Sequence, residues 1–254
     1  MRGDTGFPVR LRFTKRGKVR FIGHRDVARA FERAFRIEQL PLAFTLGFSP
    51  RPKVSFGLAL SVGHESNAEY LDFELADAVD PDRLPSSLSA ALPEGIEVIG
   101  AAALQERAPA LQEAITAVTY RVETVGAAGH PITEPEVSTL VETAMTRASL
   151  ETTRTRKGRE VVEDIRPTIR RLTVCGRDAA GVLLDLEVST QPRGTRPAEV
   201  LHAIGNGQLV EWRVLRTHQW IERDGARLEP LEADTRSSAP VGAGECALHD
   251  VRAS

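Results

Sequence analysis

The sequence has little cysteine: Cys175 and Cys246 are the only two in 254 residues. Two thiols so far apart exclude a disulfide framework and a zinc site. They also exclude a CxxxCxxC iron–sulfur loop within this chain, so any such cluster belongs to another protein. Long apolar runs are missing too, and no stretch approaches the roughly 18 residues needed to cross a bilayer. The N-terminal segment MRGDTGFPVRLRF enters a strand-like pattern without the apolar core of a signal peptide. A cytoplasmic location with no membrane partner is therefore expected. There is no G-x-G-x-x-G after a strand, no Walker loop, no H-E-x-x-H and no G-x-S-x-G. No two carboxylates stand out as an acid/base dyad, and no residue set points to a bound metal.

What is present suits a globular protein. Hydrophobic residues make up 41% and charged residues 27% of the chain, ordinary values for a chain able to bury a core. The net charge of −2 says little, but its distribution says more. From Arg10 to Lys53 twelve Lys or Arg stand against three Asp or Glu, whereas from Leu60 to Ala103 nine acidic residues stand against Arg83 alone. That split predicts a polarised surface rather than a uniform basic coat.

The element pattern predicts an α+β fold. Val9–Thr14 alternates as a half-buried strand. From Asp26 to Gln39 the apolar residues Val27, Ala30, Phe31, Ala34 and Phe35 fall at helical spacing. Leu40-Pro41 ends that helix, because the residue before proline avoids helical geometry. Strands follow at Lys53–Leu60 and Tyr70–Leu75, a helix at Pro81–Leu92 and a strand at Ile96–Leu104. This β-α-β-β-α-β order is the ferredoxin-like arrangement.

The remainder repeats the order with a strand at Ile115–Val125, a helix at Thr133–Ala148, hairpin strands to Ile165, strands at Ile169–Val174 and Val182–Val188, a helix at Pro197–Ile204 and a strand at Glu211–Glu222. Two ferredoxin-like (βαββαβ) lobes in tandem are therefore expected, over residues 1–108 and 109–224, the second with an extra β-hairpin. Residues 225–254, rich in Gly, Pro, Ser and charge, are expected to be a disordered tail.

Several clusters carry candidate chemistry. Arg25, Arg29, Arg33 and Arg36 share one helix face opposite Phe31 and Phe35. That pattern is either a solvated face or, given the forked donors of arginine, a phosphate-tracking one. In the loop Gly47–Lys53 two prolines frame Arg51 and stiffen the basic side chains Arg51 and Lys53. Phe48 beside them is either a base-stacking ring or the buried anchor of a rigid connector. Lys15, Arg16 and Lys18 at the first turn are expected to join that surface. His24 opens the helix and is a candidate general base, although a packing role is the commoner one. In the second half, Lys157 lies at a basic hairpin tip. Arg193 and Arg196 flank the start of the short helix, where free N–H groups favour an anion.

The stretch from Arg10 to Leu75 resembles the N-terminal signature of the radical-SAM-linked domain family. Lys15–Asp26, Gly47–Lys53 and Gly63–Tyr70 match its three segments. RKGREVVEDIRPTI and PRGTRPAEVL resemble its later motifs, so the likeness runs from Val9 to Trp220. Two positions depart from the pattern: Gly23-His24-Arg25-Asp26 replaces Ser-His-Leu-Asp, and Ser49-Pro50-Arg51-Pro52 replaces Asn-Pro-His-Pro. The missing loop histidine weakens any histidine-driven reaction here.

The resemblance implies a stand-alone member of the family with a radical SAM enzyme as partner. That partner would carry the iron–sulfur cluster and S-adenosylmethionine, with no cofactor in this chain. It also suggests RNA. The expected function is thus a radical-SAM-associated accessory protein without catalysis of its own, binding tRNA, rRNA or another phosphate-bearing substrate. The alternatives are a metal-independent endoribonuclease using His24, and a module for protein interaction only.

Overall fold

The computed structural model describes residues 6–105, 108–156 and 158–233. The first half contains β1 (Phe7–Lys15), α1 (His24–Ile37), β2 (Val54–Phe56), β3 (Glu65–Leu75), α2 (Leu84–Ala91) and β4 (Ile96–Ala103). A one-turn helix, α3 (Leu111–Ala114), joins it to the second half. There follow β5 (Ala117–Gly126), α4 (Glu134–Thr146), the hairpin β6 (Glu151–Arg156) and β7 (Arg159–Asp164), then β8 (Ile169–Arg177), β9 (Val182–Ser189), α5 (Pro197–Gly205) and β10 (Leu209–Arg223). Two short elements close the described chain, β11 (Ala226–Leu228) and α6 (Pro230–Ala233).

Among the described residues nine strands form one mostly antiparallel sheet, and β6 pairs only with β7. In the first half the order is β4-β1-β3-β2, and in the second it is β10-β5-β9-β8, with antiparallel neighbours throughout. The halves join where β10 runs parallel to β3 over two residue pairs, Leu215 with Glu65 and Arg216 with Ser66.

Alternation on the strands decides what covers each face. The odd residues Val9, Leu11 and Phe13 of β1 meet Leu71, Phe73 and Leu75 of β3 beneath α1 and α2. Phe31 of α1 packs edge-on to Phe13 at 4.8 Å, and Phe35 stacks on Phe73 at 5.0 Å. Burying each ring stabilises the fold by about 1.5–3 kcal/mol. That outweighs the few tenths of a kcal/mol that each like-charged pair costs on the opposite side of α1. In the second half, α4 and α5 cover Val118, Tyr120, Val122, Leu184 and Leu186 in the same way.

Two expectations change here. Residues 226–233 are not part of a disordered tail. Arg227 lies over the Trp220 ring at 4.1 Å and pairs with Glu187 at 2.8 Å. Arg10, fully buried, donates to the Pro230 carbonyl at 2.8 Å. The segment thus returns across the sheet face that α1 leaves uncovered. Charge is also less polarised than the sequence suggested, because β1 on one side of β3 and the approach to β2 on the other set basic against acidic residues. Arg10 bonds Asp72 at 2.7 Å, and Lys53 bonds Glu74 at 2.7 Å. Among the described residues no helix is long and apolar enough to cross a membrane.

Candidate nucleic-acid interface

Helix α1 begins where the Gly23 N–H donates to the Asp26 carboxylate at 3.3 Å. With Val27, Phe31, Ala34 and Phe35 fixed inward, Arg25, Arg29, Arg33 and Arg36 are all exposed on the outer side. Asp26 reaches Arg29 at 3.4 Å, with both side chains mostly in water, a contact worth at most about 1 kcal/mol. Among the described residues Arg25, Arg33 and Arg36 have no ion-pair partner. The face therefore keeps nearly its full positive charge.

The loop after α1 is built as a small hairpin. Phe44 bridges Pro52, the Thr45 N–H donates to the Arg51 carbonyl at 2.9 Å, and the Arg51 N–H donates to Thr45 Oγ1 at 3.1 Å. Gly47, at φ +136°, takes the backbone position that a side chain would strain. This geometry leaves Phe48 and Leu46 fully in solvent, so Phe48 is not a buried anchor. At the loop base, Phe44 and Pro52 share a groove of about 460 Å³ with Glu32 and Arg36 of α1. The helix face and the loop are therefore neighbours on one surface. Arg51 is exposed there, whereas the Lys53 ammonium is drawn aside to Glu74.

The remaining predicted contacts divide. Lys15 is buried, not on the surface: its Nζ donates to the Arg20 and Ile22 carbonyls at 3.2 and 3.0 Å. Burial lowers its pKa, the Glu69 carboxylate opposes that shift, and Arg216 adds to it. Lys15 faces inward because the alternation of β1 places it with Leu11 and Phe13. Arg16 and Lys18 are exposed, and Arg16 Nε donates to Asn67 Oδ1 at 2.5 Å. Gly95, at φ +93°, lets this turn approach closely: a Cβ there would lie 2.3 Å from the Arg16 carbonyl oxygen. His24 is exposed at the first position of α1, edge-on to Phe56 at 4.9 Å. Among the described residues no carboxylate orients it.

The expected second anion site is filled from within. Arg193 pairs with Glu163 of β7 and lies 3.6 Å from Glu199 of α5. Glu199 also accepts the Arg196 N–H at 2.9 Å and pairs with Arg154 of β6. The helix N-terminus thus holds its own carboxylate, and these arginines dock the extra hairpin. Arg196 keeps an exposed side chain. Lys157 lies outside the described residues.

One buried group gave no sequence signal. Arg216 of β10 donates to Glu69 of β3 at 2.9 Å, to the Leu58 and Ala59 carbonyls at 3.0 and 2.8 Å, and to the Tyr120 hydroxyl at 3.4 Å. It ties the joint between the halves to the chain segment that follows β2.

The chain shows remote likeness to solved structures. One is the archaeal box H/ACA sRNP Nop10–Cbf5 complex, at TM-score 0.44 and 11% identity over 83% of this chain and 47% of that one. A Cbf5–Nop10–Gar1 complex gives 0.45 and 13% over 86% and 54%. An H/ACA RNP bound to a substrate RNA containing 2′-deoxyuridine gives 0.41 and 14% over 89% and 54%. The chain spans about half the length of these solved chains, and likenesses this remote assign nothing to it. No curated protein matches. A family profile does, over residues 9–197, and the chain belongs to that family, "Uncharacterized protein conserved in bacteria (DUF2344)".

Proposed function

We propose that the chain is an RNA-binding accessory protein. In this reading it consists of two ferredoxin-like lobes in tandem, and it presents tRNA, rRNA or another phosphate-bearing substrate to a separate radical SAM enzyme. The repeated strand order β4-β1-β3-β2 and β10-β5-β9-β8 supports the two-lobe reading. The observation that carries the RNA reading is the outer face of α1. Four exposed arginines there meet one weak carboxylate contact, beside a loop that holds Phe48 and Arg51 in solvent. Forked guanidinium groups along one helix suit a phosphate backbone, and an exposed ring beside them suits a base. The radical SAM partner rests on the motif resemblance; that partner would supply the cluster and S-adenosylmethionine.

The test is affinity purification of the full chain from its native cell extract. RNA should co-purify and be lost when Arg25, Arg29, Arg33 and Arg36 are replaced by glutamine. A radical SAM enzyme should remain in the eluate after nuclease treatment. RNA recovered equally with the quadruple variant would contradict the assignment of the α1 face.

A further inference from the structure

At the seam between the halves, where the first turn meets β10, lies a cleft of about 600 Å³. Three separate segments bring apolar side chains to it: Phe21 from the 3-10 turn Gly17–Phe21, Val62 from the turn before β3, and Trp212 from β10. Phe21 is 61% and Trp212 60% exposed, unusual for rings of this size in a packed fold.

Both rings are held out by built features. β10 slips its register on β5 between Glu211 and Arg213, so Trp212 is the extra residue of a bulge. Such bulges re-aim a side chain away from the ladder. Phe21 sits on a turn locked from beneath. The Arg20 carbonyl accepts from Lys15 Nζ at 3.2 Å and from the Gly63 N–H at 2.8 Å, and the same ammonium holds the Ile22 carbonyl. Lys15 is thus a positioning residue for the turn.

The carboxylates around the cleft are held by internal contacts. Glu211 pairs with His64 at 3.1 Å, and Glu65 accepts from the Gly17 N–H at 2.7 Å and from Arg213 at 3.1 Å. Lys18, on the same turn but outside the cleft lining, and Arg20 form no salt bridge among the described residues, although the Glu65 carboxylate lies near enough to feel the Arg20 charge, and Arg20 lies over the Phe21 ring at 4.7 Å.

We propose that this cleft is a second nucleic-acid contact that accepts unpaired bases. Trp212 and Phe21 supply the stacking surfaces, and Arg20 with Lys18 meets the flanking phosphates. Exposed rings interleaved with cations are the features that bind single strands without regard to sequence. A purely apolar protein face would match the rings but leave these cations unanswered. The proposal rests on the RNA reading of α1 and adds a preference for single-stranded segments.

The chain has two tryptophans, so Trp220→Phe isolates the emission of Trp212. Single-stranded poly(A) RNA should quench that emission, and a duplex RNA should not. In the otherwise unaltered chain, Phe21→Ala with Trp212→Ala should weaken single-strand binding about tenfold or more, leaving duplex binding and the salt slope unchanged. Arg29→Ala with Arg33→Ala should do the reverse, lowering the salt slope while quenching persists. Single strands that bind without quenching, or bind the double seam variant as tightly as the wild type, overturn the cleft alone. Failure of the wild type to bind either RNA overturns the α1 reading and the cleft together.

Discussion

Arg216 on β10 and Glu69 on β3 form a buried ion pair, 2.9 Å from Nη1 to Oε1, across the joint between the two halves. The strands that carry them pair over only two residue positions, so backbone hydrogen bonding contributes little there. Glu69→Ala would strand a guanidinium that lies out of water, and the expected destabilisation is about 3–5 kcal/mol. Replacing both partners, as in Glu69→Leu with Arg216→Met, should recover most of that loss. Urea denaturation of the single and double variants reads both values. A single variant within about 0.5 kcal/mol of wild type would show that the pair does not hold the joint.

Lys15 gives a pH signature. Burial, offset in part by Glu69 and reinforced by Arg216, holds its pKa below the ordinary lysine range. Between that lowered value and the unfolded one, the unfolded chain binds more protons than the native state. Wild-type stability should therefore rise with pH across this interval. Lys15→Met lacks the rise, so the stability gap between wild type and variant should shift in favour of wild type from neutral pH toward pH ~10. A gap constant over that range would contradict the assignment.

Glu199 reports the docking of the β6–β7 hairpin. Burial raises its pKa, but the Arg154 hydrogen bond, the Arg196 N–H and the charges of Arg154 and Arg193 leave it lowered overall. Its stabilising effect is present above the unfolded value of about 4.3 and is lost as pH falls through the lower native value. Protection of the β6 and β7 amides, taken relative to their intrinsic exchange rates, should fall over that acid window in the wild type. Glu199→Gln should be weakly protected already at neutral pH, with a flat profile. Superimposable profiles for the two proteins would remove this role.

The order of elements along the chain was legible in the sequence because alternation and helical spacing are local signals. Val9–Thr14 and Phe31 with Phe35 announce a strand and a helix without tertiary information. Lys15 and Arg193 look like their exposed neighbours in sequence, but the inward phase of β1 and the docked hairpin place them elsewhere. Trp212 carries no periodic signal, because a bulge in pairing with β5 decides where it points. Arg227 and Pro230 fall in a polar, proline-bearing segment whose order comes from the nearby Trp220 and from Glu187 and Arg10, both distant in sequence.

Truncation before Ala226 tests that last point. It removes the Pro230 carbonyl from a buried Arg10 and the Arg227 cover from Trp220. The loss should be about 2 kcal/mol or more, with red-shifted Trp220 emission in a Trp212→Phe background. An unchanged urea midpoint and an unchanged emission maximum would show that the segment merely rests on the sheet.

The central claim is that the α1 arginines bind RNA phosphates. The most direct measurement is the affinity of the full chain for a structured RNA across a salt series, in wild type and in Arg29→Ala with Arg33→Ala. The logarithm of the wild-type binding constant should fall linearly with the logarithm of salt concentration. The double variant should bind more weakly, with a slope shallower by about 1–2. A salt-independent affinity, or identical slopes for the two proteins, would contradict the claim.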